Sequence, residues 1–308
     1  MKLQRSLFRF LAVAVLTLAE VAALSAQQLE PRAYSISPTG VNVANLSYGY
    51  STGDLNFDPS LPIDDASAQI HNAIGGYFRS INAVGRSANV SIVVPYAVGH
   101  LQGNYLGSFV KIYRSGLADS AARFSINLYG ARAMNLQEFA RYRQRTNIGA
   151  SVVVSAPTGQ YDPTVLVSIG TNRWAFKPEV GLSHVLGKTH LILDGYLSSW
   201  IYTPNNNYRG QTRSQKPLLN AQFHVSYDIK PKLWLAFDAN FYRGGQTAIG
   251  GVNRNDEQSN SRVGVTASVP VARRQSVKAS YSDGAITRIG GNFSTVSVGY
   301  QYLWGGGF

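Results

Sequence analysis

The sequence predicts an all-β fold, a transmembrane antiparallel up-and-down β-barrel of about 12 strands with long extracellular loops and short periplasmic turns. Three observations predict it. Apolar residues recur with a period of two, and the connections between these segments alternate between long and short. Only 14% of the residues are charged, whereas 18 are Tyr and 30 are Gly. Strands with one apolar and one polar face are typical of a barrel that has lipid outside and water inside.

The clearest strand pair lies between residues 147 and 186. In its first strand the even-numbered residues are apolar, and the odd-numbered residues are small and mostly polar. In its second strand Phe176 and Val180 alternate with Lys177 and Glu179. A soluble sandwich would not place Lys177 and Glu179 on its inner face, whereas a barrel with a wet lumen does.

The segments around this pair also carry a family pattern. The sequence reads SAPTGQYDP at 155–163, GTNRW at 170–174 and FKPE at 176–179. Shorter stretches of the same kind are EPRAYS (30–35), GLAD (116–119), RFS (123–125), GQTR (210–213), YRGG (242–245) and QSN (258–260). Together they resemble the outer-membrane family named for the MetA pathway of phenol degradation. The resemblance implies a transporter of the Gram-negative outer membrane and points to small hydrophobic or aromatic solutes.

The N-terminus predicts a signal peptide over residues 1–26. A basic head precedes an apolar run too short to span a bilayer, and small residues offer a cleavage site before Gln27. Residues 27–40 are predicted to be a periplasmic lead-in, and residues 41–308 the outer-membrane β-barrel. The absence of cysteine suits the oxidising periplasm and excludes a lipid anchor on cysteine.

The strands follow from the alternation, in order. The first six are predicted at about 41–50, 68–81, 88–96, 118–129, 147–156 and 174–185. The last six are predicted at about 188–201, 217–228, 232–242, 258–269, 275–282 and 293–304. One connection on the short-turn side, 131–145, is long enough for one or two helical turns.

The ends of the strands give two further expectations. Trp174 and Trp200 lie at the long-loop ends and Trp234 and Trp304 at the short-turn ends, which predicts two aromatic girdles at the membrane interfaces. The last strand alternates up to the terminal Phe308. This ending resembles the assembly signal that the outer-membrane insertion machinery reads.

The charge balance indicates anionic partners. The net charge is +12 and the sequence pI is about 9.9. Because the basic residues are scattered rather than gathered on one stripe, nucleic-acid binding is not predicted. Outer-membrane lipid, lipopolysaccharide and anionic solutes are the expected partners.

No constellation of residues predicts catalysis, a cofactor or a metal site. The five histidines do not combine with serine and a carboxylate on one face, and no spacing of His, Asp and Glu resembles a metal site. The sequence therefore predicts no enzyme activity. A barrel hydrolase remains the third reading of the function.

The predicted lumen holds the candidate selectivity residues. They face inward near the middle of their strands: Arg123, Lys177, Glu179, Asp194, His224, Asp238 and Arg262. A short turn at Leu186-Gly187 would set Glu179 opposite Asp194, bridged by Lys177. Asp238 and Arg262 are expected at similar heights on adjacent strands. These charges either form a constriction that selects solutes or brace a narrow lumen as salt bridges.

The first long loops carry unusually many apolar residues. Phe57, Tyr105 and Phe109 are the candidate solute contacts there, since so many exposed apolar groups are uncommon on a solvated surface. The sequence thus predicts a passive outer-membrane channel for small solutes. The alternative is a structural or surface-binding barrel with an occluded lumen.

Overall fold

The computed structural model describes residues 29–57, 62–165 and 167–307. The predicted signal peptide, Gln27 and the terminal Phe308 lie outside the described residues. The first strands are β1 Val41–Asn56, β2 Ile63–Ala83, β3 Arg86–Tyr105, β4 Ser108–Leu117, β5 Ala121–Tyr129, β6 Thr146–Ser155, β7 Ala175–Val185 and β8 Leu191–Tyr202. The others are β9 Asn205–Tyr208, β10 Gln211–Gln215, β11 Leu218–Lys230, β12 Leu233–Gly244, β13 Thr247–Ile249, β14 Val252–Asn253, β15 Gln258–Ala272, β16 Gln275–Ile286 and β17 Gly290–Gly305.

The strands form a closed antiparallel barrel. Each strand of the wall pairs antiparallel with its neighbours, and β1 pairs with β17 from Val41↔Gly305 to Asn56↔Gly290, which closes the sheet. β4 and β5 pair with successive halves of β3 and together make one strand of the wall. The predicted 12-stranded barrel is therefore confirmed.

Five of the predicted loops contain β-structure. β1 and β2 extend into the one over 51–65, and β16 and β17 into the one over 283–292. β3 continues to Tyr105 and pairs with β4, within the region predicted as a loop over 98–116. Outward-facing His100 and Gln102 interrupt the apolar alternation there, although backbone pairing continues. The loops over 203–216 and 244–255 together build a four-stranded sheet in the order β14-β13-β10-β9. The alternation of apolar and polar side chains stops where the strands leave the membrane, but backbone pairing continues. The strands therefore extend beyond the region that the alternation predicts.

The connection over 131–145 contains the helical turn that the sequence predicts. Helix α1 spans Leu136–Arg141. The Asn135 side chain accepts a hydrogen bond from the Glu138 backbone N–H at 2.9 Å, and the Glu138 carboxylate accepts one from the Asn135 N–H at 2.9 Å. This capping box starts the helix at the periplasmic end. Among the described residues, no helix is long and apolar enough to cross a membrane.

The outer face is apolar, as a lipid-facing surface requires. Leu46, Leu197, Phe223 and Phe237 are among the large apolar side chains that point outward and are more than half exposed. The prediction that tryptophans form girdles at the two membrane interfaces holds for only some of the four tryptophans. Trp174 is exposed, but Trp200 is buried in the lumen, because outward parity on β8 belongs to Leu197 and its neighbours. Trp234 also has inward parity, since Leu235 and Phe237 are the outward residues of β12.

Candidate functional site

The N-terminal segment enters the barrel. Residues 29–40, here called the plug segment, run from the lumen down to the periplasmic end. At that end the Thr39 N–H donates to the Met134 carbonyl at 2.8 Å and the Gly40 N–H to the Ser80 carbonyl at 3.0 Å. The segment predicted as a periplasmic lead-in therefore reaches into the lumen as far as Leu29, its first described residue.

A pair of glycines seats the plug segment. Gly149 on β6 and Gly181 on β7 are cross-strand partners, and a Cβ atom at either position would lie 2.3 Å or 2.1 Å from the ring of Tyr34. Any side chain larger than hydrogen would therefore collide with this ring. The Tyr34 hydroxyl lies 3.2 Å from Ser151 Oγ and donates to Glu179 Oε1 at 3.2 Å.

An ion network ties the plug segment to the wall. Arg123 on β5 contacts Glu30 Oε2 at 2.8 Å and Glu179 Oε1 at 2.9 Å. Lys177 Nζ lies 3.3 Å from Glu179 Oε2. The structure thus brings together three of the predicted lumen residues, and it adds Glu30, which the sequence analysis did not select. Because each charge in this network has an opposite partner, the cost of burying it is offset.

Glu30 lies in the plug segment, outside the membrane-spanning strands, and its carboxyl is strongly perturbed. Burial alone would raise its pKa. The positive charges of Lys177, Arg123 and Lys278 outweigh that effect and lower the pKa from 4.5 to about 2. The carboxylate therefore stays ionised at any physiological pH.

Further contacts fix the rest of the plug segment on the same side of the barrel. Arg32 pairs with Asp228 at 2.7 Å and stacks over the Trp234 ring at 4.5 Å. The Ala33 N–H donates to the Tyr196 hydroxyl at 3.1 Å. Leu29 packs against Gly264, where a Cβ would lie 2.6 Å away. The plug segment therefore lies against the inner face of β6, β7, β8, β11, β12 and β15, here called the plug-facing wall.

A second buried cluster lies within the plug-facing wall. His224 Nδ1 is 2.7 Å from Asp238 Oδ1, and the Thr266 hydroxyl donates to Asp238 Oδ2 at 2.6 Å. Asp194 is the cross-strand neighbour of His224 on β8. All of these side chains are fully or almost fully buried. They therefore brace the wall and do not line the open part of the lumen.

Two of the predicted charge contacts are wrong. The connection after β7 spans 186–190 and is longer than the predicted turn at Leu186-Gly187. The Leu186 N–H donates to the Leu191 carbonyl, and Val185 pairs with Ile192. Glu179 consequently faces Ser198, and Asp194 faces Ser183. Lys177 therefore has Glu179 as its only ion-pair partner within the described residues.

Arg262 is also placed differently from the prediction. Its cross-strand partner on β12 is Asn240, two residues beyond the pair of Asp238 with Gly264 along the sheet. Its guanidinium donates to Ser282 Oγ and Thr295 Oγ1, both at 3.1 Å, and to the Phe293 carbonyl. Arg262 thus points toward β16 and β17, away from Asp238.

The open part of the lumen lies on the opposite side. A cavity of about 380 Å³ is bounded by Leu29 and Glu30 of the plug segment and by the inner faces of β16, β17 and β1, here called the passage wall. Toward the long loops, side chains of β7, β8 and β10 also line it. The passage wall presents mostly small polar side chains, such as Ser47, Ser280 and Ser297. Because the side chains of the passage wall are small, open space remains beside them, whereas the plug segment fills the lumen beside the plug-facing wall.

The cavity extends along most of the barrel. At one end it is lined by Tyr202, Arg213 and Asp119, near the long loops. At the other end it reaches Gln301, whose cross-strand neighbour Ser276 directly follows the first residue of β16. The cavity therefore runs beside the plug segment rather than ending above it.

The three loop candidates do not form a common contact surface. Phe57 follows the end of β1 and is half-buried, and Tyr105 ends β3 with inward parity. Phe109 lies on the outward face of β4 and is 60% exposed. None of the three lines the cavity formed by the described residues. Neighbouring loop residues instead pack together, with Leu55 and Leu101 against Ile70 and Val167.

Sequence reasoning missed the residues that place the plug segment. Tyr34 and Glu30 precede the first strand, where alternation gives no information. One signal was available in the sequence. Gly149 and Gly181 leave a gap on an otherwise small inner face, and a buried Tyr needs such a gap. Within the described residues, no group of His, Asp and Glu side chains is assembled that could hold a metal ion.

Comparisons with known proteins agree with this architecture. A family model described as "Putative MetA-pathway of phenol degradation" matches residues 65–304. The COG4313 outer membrane channel from Pseudomonas putida F1 is similar over 90% of this chain and 100% of that chain, with a TM-score of 0.75 and 18% identity. The translocator domain of the autotransporter NalP from Neisseria meningitidis matches over 94% and 99% of the two chains, with a TM-score of 0.54 and 11% identity. Among curated proteins, none matches this chain.

Proposed function

Because the chain belongs to this MetA-pathway family of outer-membrane channels and transporters, we propose that it is a passive channel for small solutes, including aromatic and other hydrophobic compounds. The protein is a barrel of the Gram-negative outer membrane. The family description refers to phenol degradation, which favours aromatic solutes. The stacked rings of Trp200 and Tyr202 beside the cavity also favour them.

The observation that carries the proposal is the cavity along the passage wall. It runs beside the plug segment, from the region of the long loops to residues near the periplasmic turns. A solute following it would meet Glu30 and Lys278 where the plug segment narrows the lumen. Of the predicted selectivity residues, Arg262 lines this route. Arg123, Lys177 and Glu179 act through the plug segment that they hold, which is a positioning role.

The proposal includes partners that the membrane location requires. The apolar outer face contacts membrane lipid. The basic balance of the chain favours contact with lipopolysaccharide on the outer leaflet. The C-terminal strand, which ends in Phe308, is proposed to be read by the outer-membrane insertion machinery. No catalytic step is assigned to the protein.

Single-channel recording in a planar bilayer tests the proposed channel. Purified wild-type protein is expected to give discrete conductance steps, and liposomes that contain it are expected to take up benzyl alcohol faster than empty liposomes. A folded barrel that gives neither result would favour the alternative, a structural or surface-binding barrel with an occluded lumen. Heat-modifiable migration in electrophoresis establishes beforehand that the barrel is folded.

A further inference from the structure

The charged side chains along the cavity are predominantly basic. Four cationic residues line it: Arg173, Arg213, Arg262 and Lys278. The acidic residues that line it among the described part of the chain are Glu30 and Asp119. A narrow pore lined by one sign of charge favours ions of the opposite sign.

Both acidic residues are already engaged by other groups. Asp119 Oδ1 accepts from the Gly159 N–H at 2.8 Å, and its Oδ2 accepts from the Thr171 N–H at 2.9 Å and the Thr171 hydroxyl at 2.5 Å. Glu30 is held by Arg123 at 2.8 Å. Within the described residues, neither carboxylate lies within ion-pair distance of a cation that lines the cavity, and the four cations outnumber the two carboxylates there.

Lys278 shows this excess most clearly. It lies on β16 in the passage wall, and its cross-strand neighbours are Ser268 and Gly299. Within the described residues it forms no ion pair and no hydrogen bond. Its Nζ lies 5.8 Å from the centre of the Trp234 ring, and the carboxylates of Glu30 and Asp238 act on its charge from beyond ion-pair distance. Because the Glu30 carboxylate is bound to Arg123, the ammonium group of Lys278 has no carboxylate of the described residues within ion-pair distance and attracts a mobile anion.

Aromatic rings lie at a different height on the same route. Trp200 and Tyr202 stack with their centroids 6.4 Å apart and their planes 12° from parallel. Arg173 lies over Tyr202 at 4.3 Å, and Lys177 lies 5.7 Å from the Trp200 ring. A layer of two rings between two cations suits a solute that has both an aromatic face and a negative charge.

We propose that the passage selects small organic anions, and in particular carboxylates carried on an aromatic ring, over cationic compounds of the same size. The inference rests on the proposed channel function and names its substrate class. The carboxylate follows the cations of Arg213, Arg262 and Lys278. The ring contacts the Trp200 and Tyr202 layer on the way.

Reversal potentials across a planar bilayer test the charge preference. Gradients of potassium benzoate and of benzylammonium chloride present the same ring as an anion and as a cation. The expected result is that benzoate permeates more readily than K⁺, and that Cl⁻ permeates more readily than benzylammonium. Equal permeabilities, or a preference for the cation in either salt, would overturn the inference and leave the channel function standing. A folded wild-type barrel without any conductance would refute the channel function itself.

Substitutions test whether the side chains that line the cavity cause the preference for anions. Lys278→Gln should lower the ratio of benzoate to K⁺ permeability by at least about threefold, since it removes a charge from the narrow part of the route. Lys278→Arg should keep the wild-type ratio. Lys111→Gln is the matched control, because Lys111 is exposed on the outward face of β4 and does not line the cavity. Arg213→Gln, on β10 outside the barrel strands, is a second variant should Lys278→Gln fail to fold. A ratio unchanged in both glutamine variants would contradict the proposal.

The ring preference has its own measurement. Benzoate added to a chloride solution should reduce the chloride current more than cyclohexanecarboxylate does, because only the flat ring can stack in the layer. Equal reduction by the two carboxylates would limit the selected class to organic anions in general and would overturn the aromatic part of the proposal.

Discussion

The two sides of the lumen are built differently. On the plug-facing wall, inward residues such as Asn147, Ser226, Asp238 and Asn240 are completely buried. On the passage wall, β16 contains no buried residue, and Ser280 and Ser297 are half-exposed. Both walls are polar on the inside, so polarity does not distinguish them. The difference lies in what they face, which is a bound segment on one side and open space on the other.

This comparison shows how a barrel of this size keeps a narrow route. A peptide segment held by an ion network and a glycine socket fills one half of the lumen. Small side chains on the other wall leave the remaining half open. Side chains of the plug-facing wall should therefore affect stability and the position of the plug segment. Side chains of the passage wall should affect permeation.

Removing the plug segment should have the largest effect. Deletion of residues 29–35 joins the cavity with the volume that the segment occupied, so single-channel conductance should rise by roughly twofold or more. The deletion variant must first show heat-modifiable migration, as the wild type does. An unchanged conductance would mean that the segment does not restrict the route, and the distinction between the two walls would be lost.

Filling the glycine socket should have the next largest effect. Gly181→Ala places a Cβ 2.1 Å from the Tyr34 ring, so the plug segment must shift and conductance should rise toward that of the deletion variant. Gly75→Ala is the matched control, because nothing lies within 4 Å of a Cβ added there. Equal conductance in the two variants would show that Tyr34 does not hold the segment in place.

The buried cluster should affect stability without affecting permeation. Asp238→Asn weakens the hydrogen bonds to His224 and Thr266 and should cost about 1–3 kcal/mol of unfolding free energy. Ser280→Ala on the passage wall should cost much less. Urea unfolding of the folded barrel compares the two variants, and their ion selectivity should match that of the wild type. A shift of the reversal potential in Asp238→Asn would place this residue on the ion route instead.

Acidification should have the smallest effect. Because the pKa of Glu30 is lowered to about 2, its contribution to docking is fully present above its ordinary value of 4.5 and is lost as the pH falls through about 2. Conductance should therefore stay constant between pH 7 and pH 5. Recording one channel at both pH values checks this. An increase on acidification within this range would show that Glu30 is not held as an ion.

The sequence predicts the barrel well because lipid imposes alternation on every strand. The parity of Phe176 and Val180 against Lys177 and Glu179 places all four side chains on the correct faces. Alternation does not determine register, since a strand shifted by an even number of residues keeps both faces. For this reason Asp194 could be predicted to face inward but could not be placed beside the correct partner.

The candidate site was less predictable for a related reason. Its main contacts join Tyr34 to Glu179, 145 positions away along the chain, and Glu30 to Arg123, 93 positions away. No periodicity marks such contacts, because the plug segment has no repeating hydrogen-bond pattern of its own. Trp200 illustrates the same limit, since its position at a strand end suggested a membrane girdle while its parity places it in the lumen.

Cysteine accessibility tests the contrast between the two walls most directly. The natural chain has no cysteine, so Ser297→Cys on the passage wall and Ser226→Cys on the plug-facing wall each introduce a single thiol. A charged methanethiosulfonate reagent, added during single-channel recording, should modify Ser297→Cys and reduce its conductance. It should leave Ser226→Cys unchanged, since that position is fully buried. Modification and block of Ser226→Cys, with Ser297→Cys unaffected, would contradict the proposed route through the barrel.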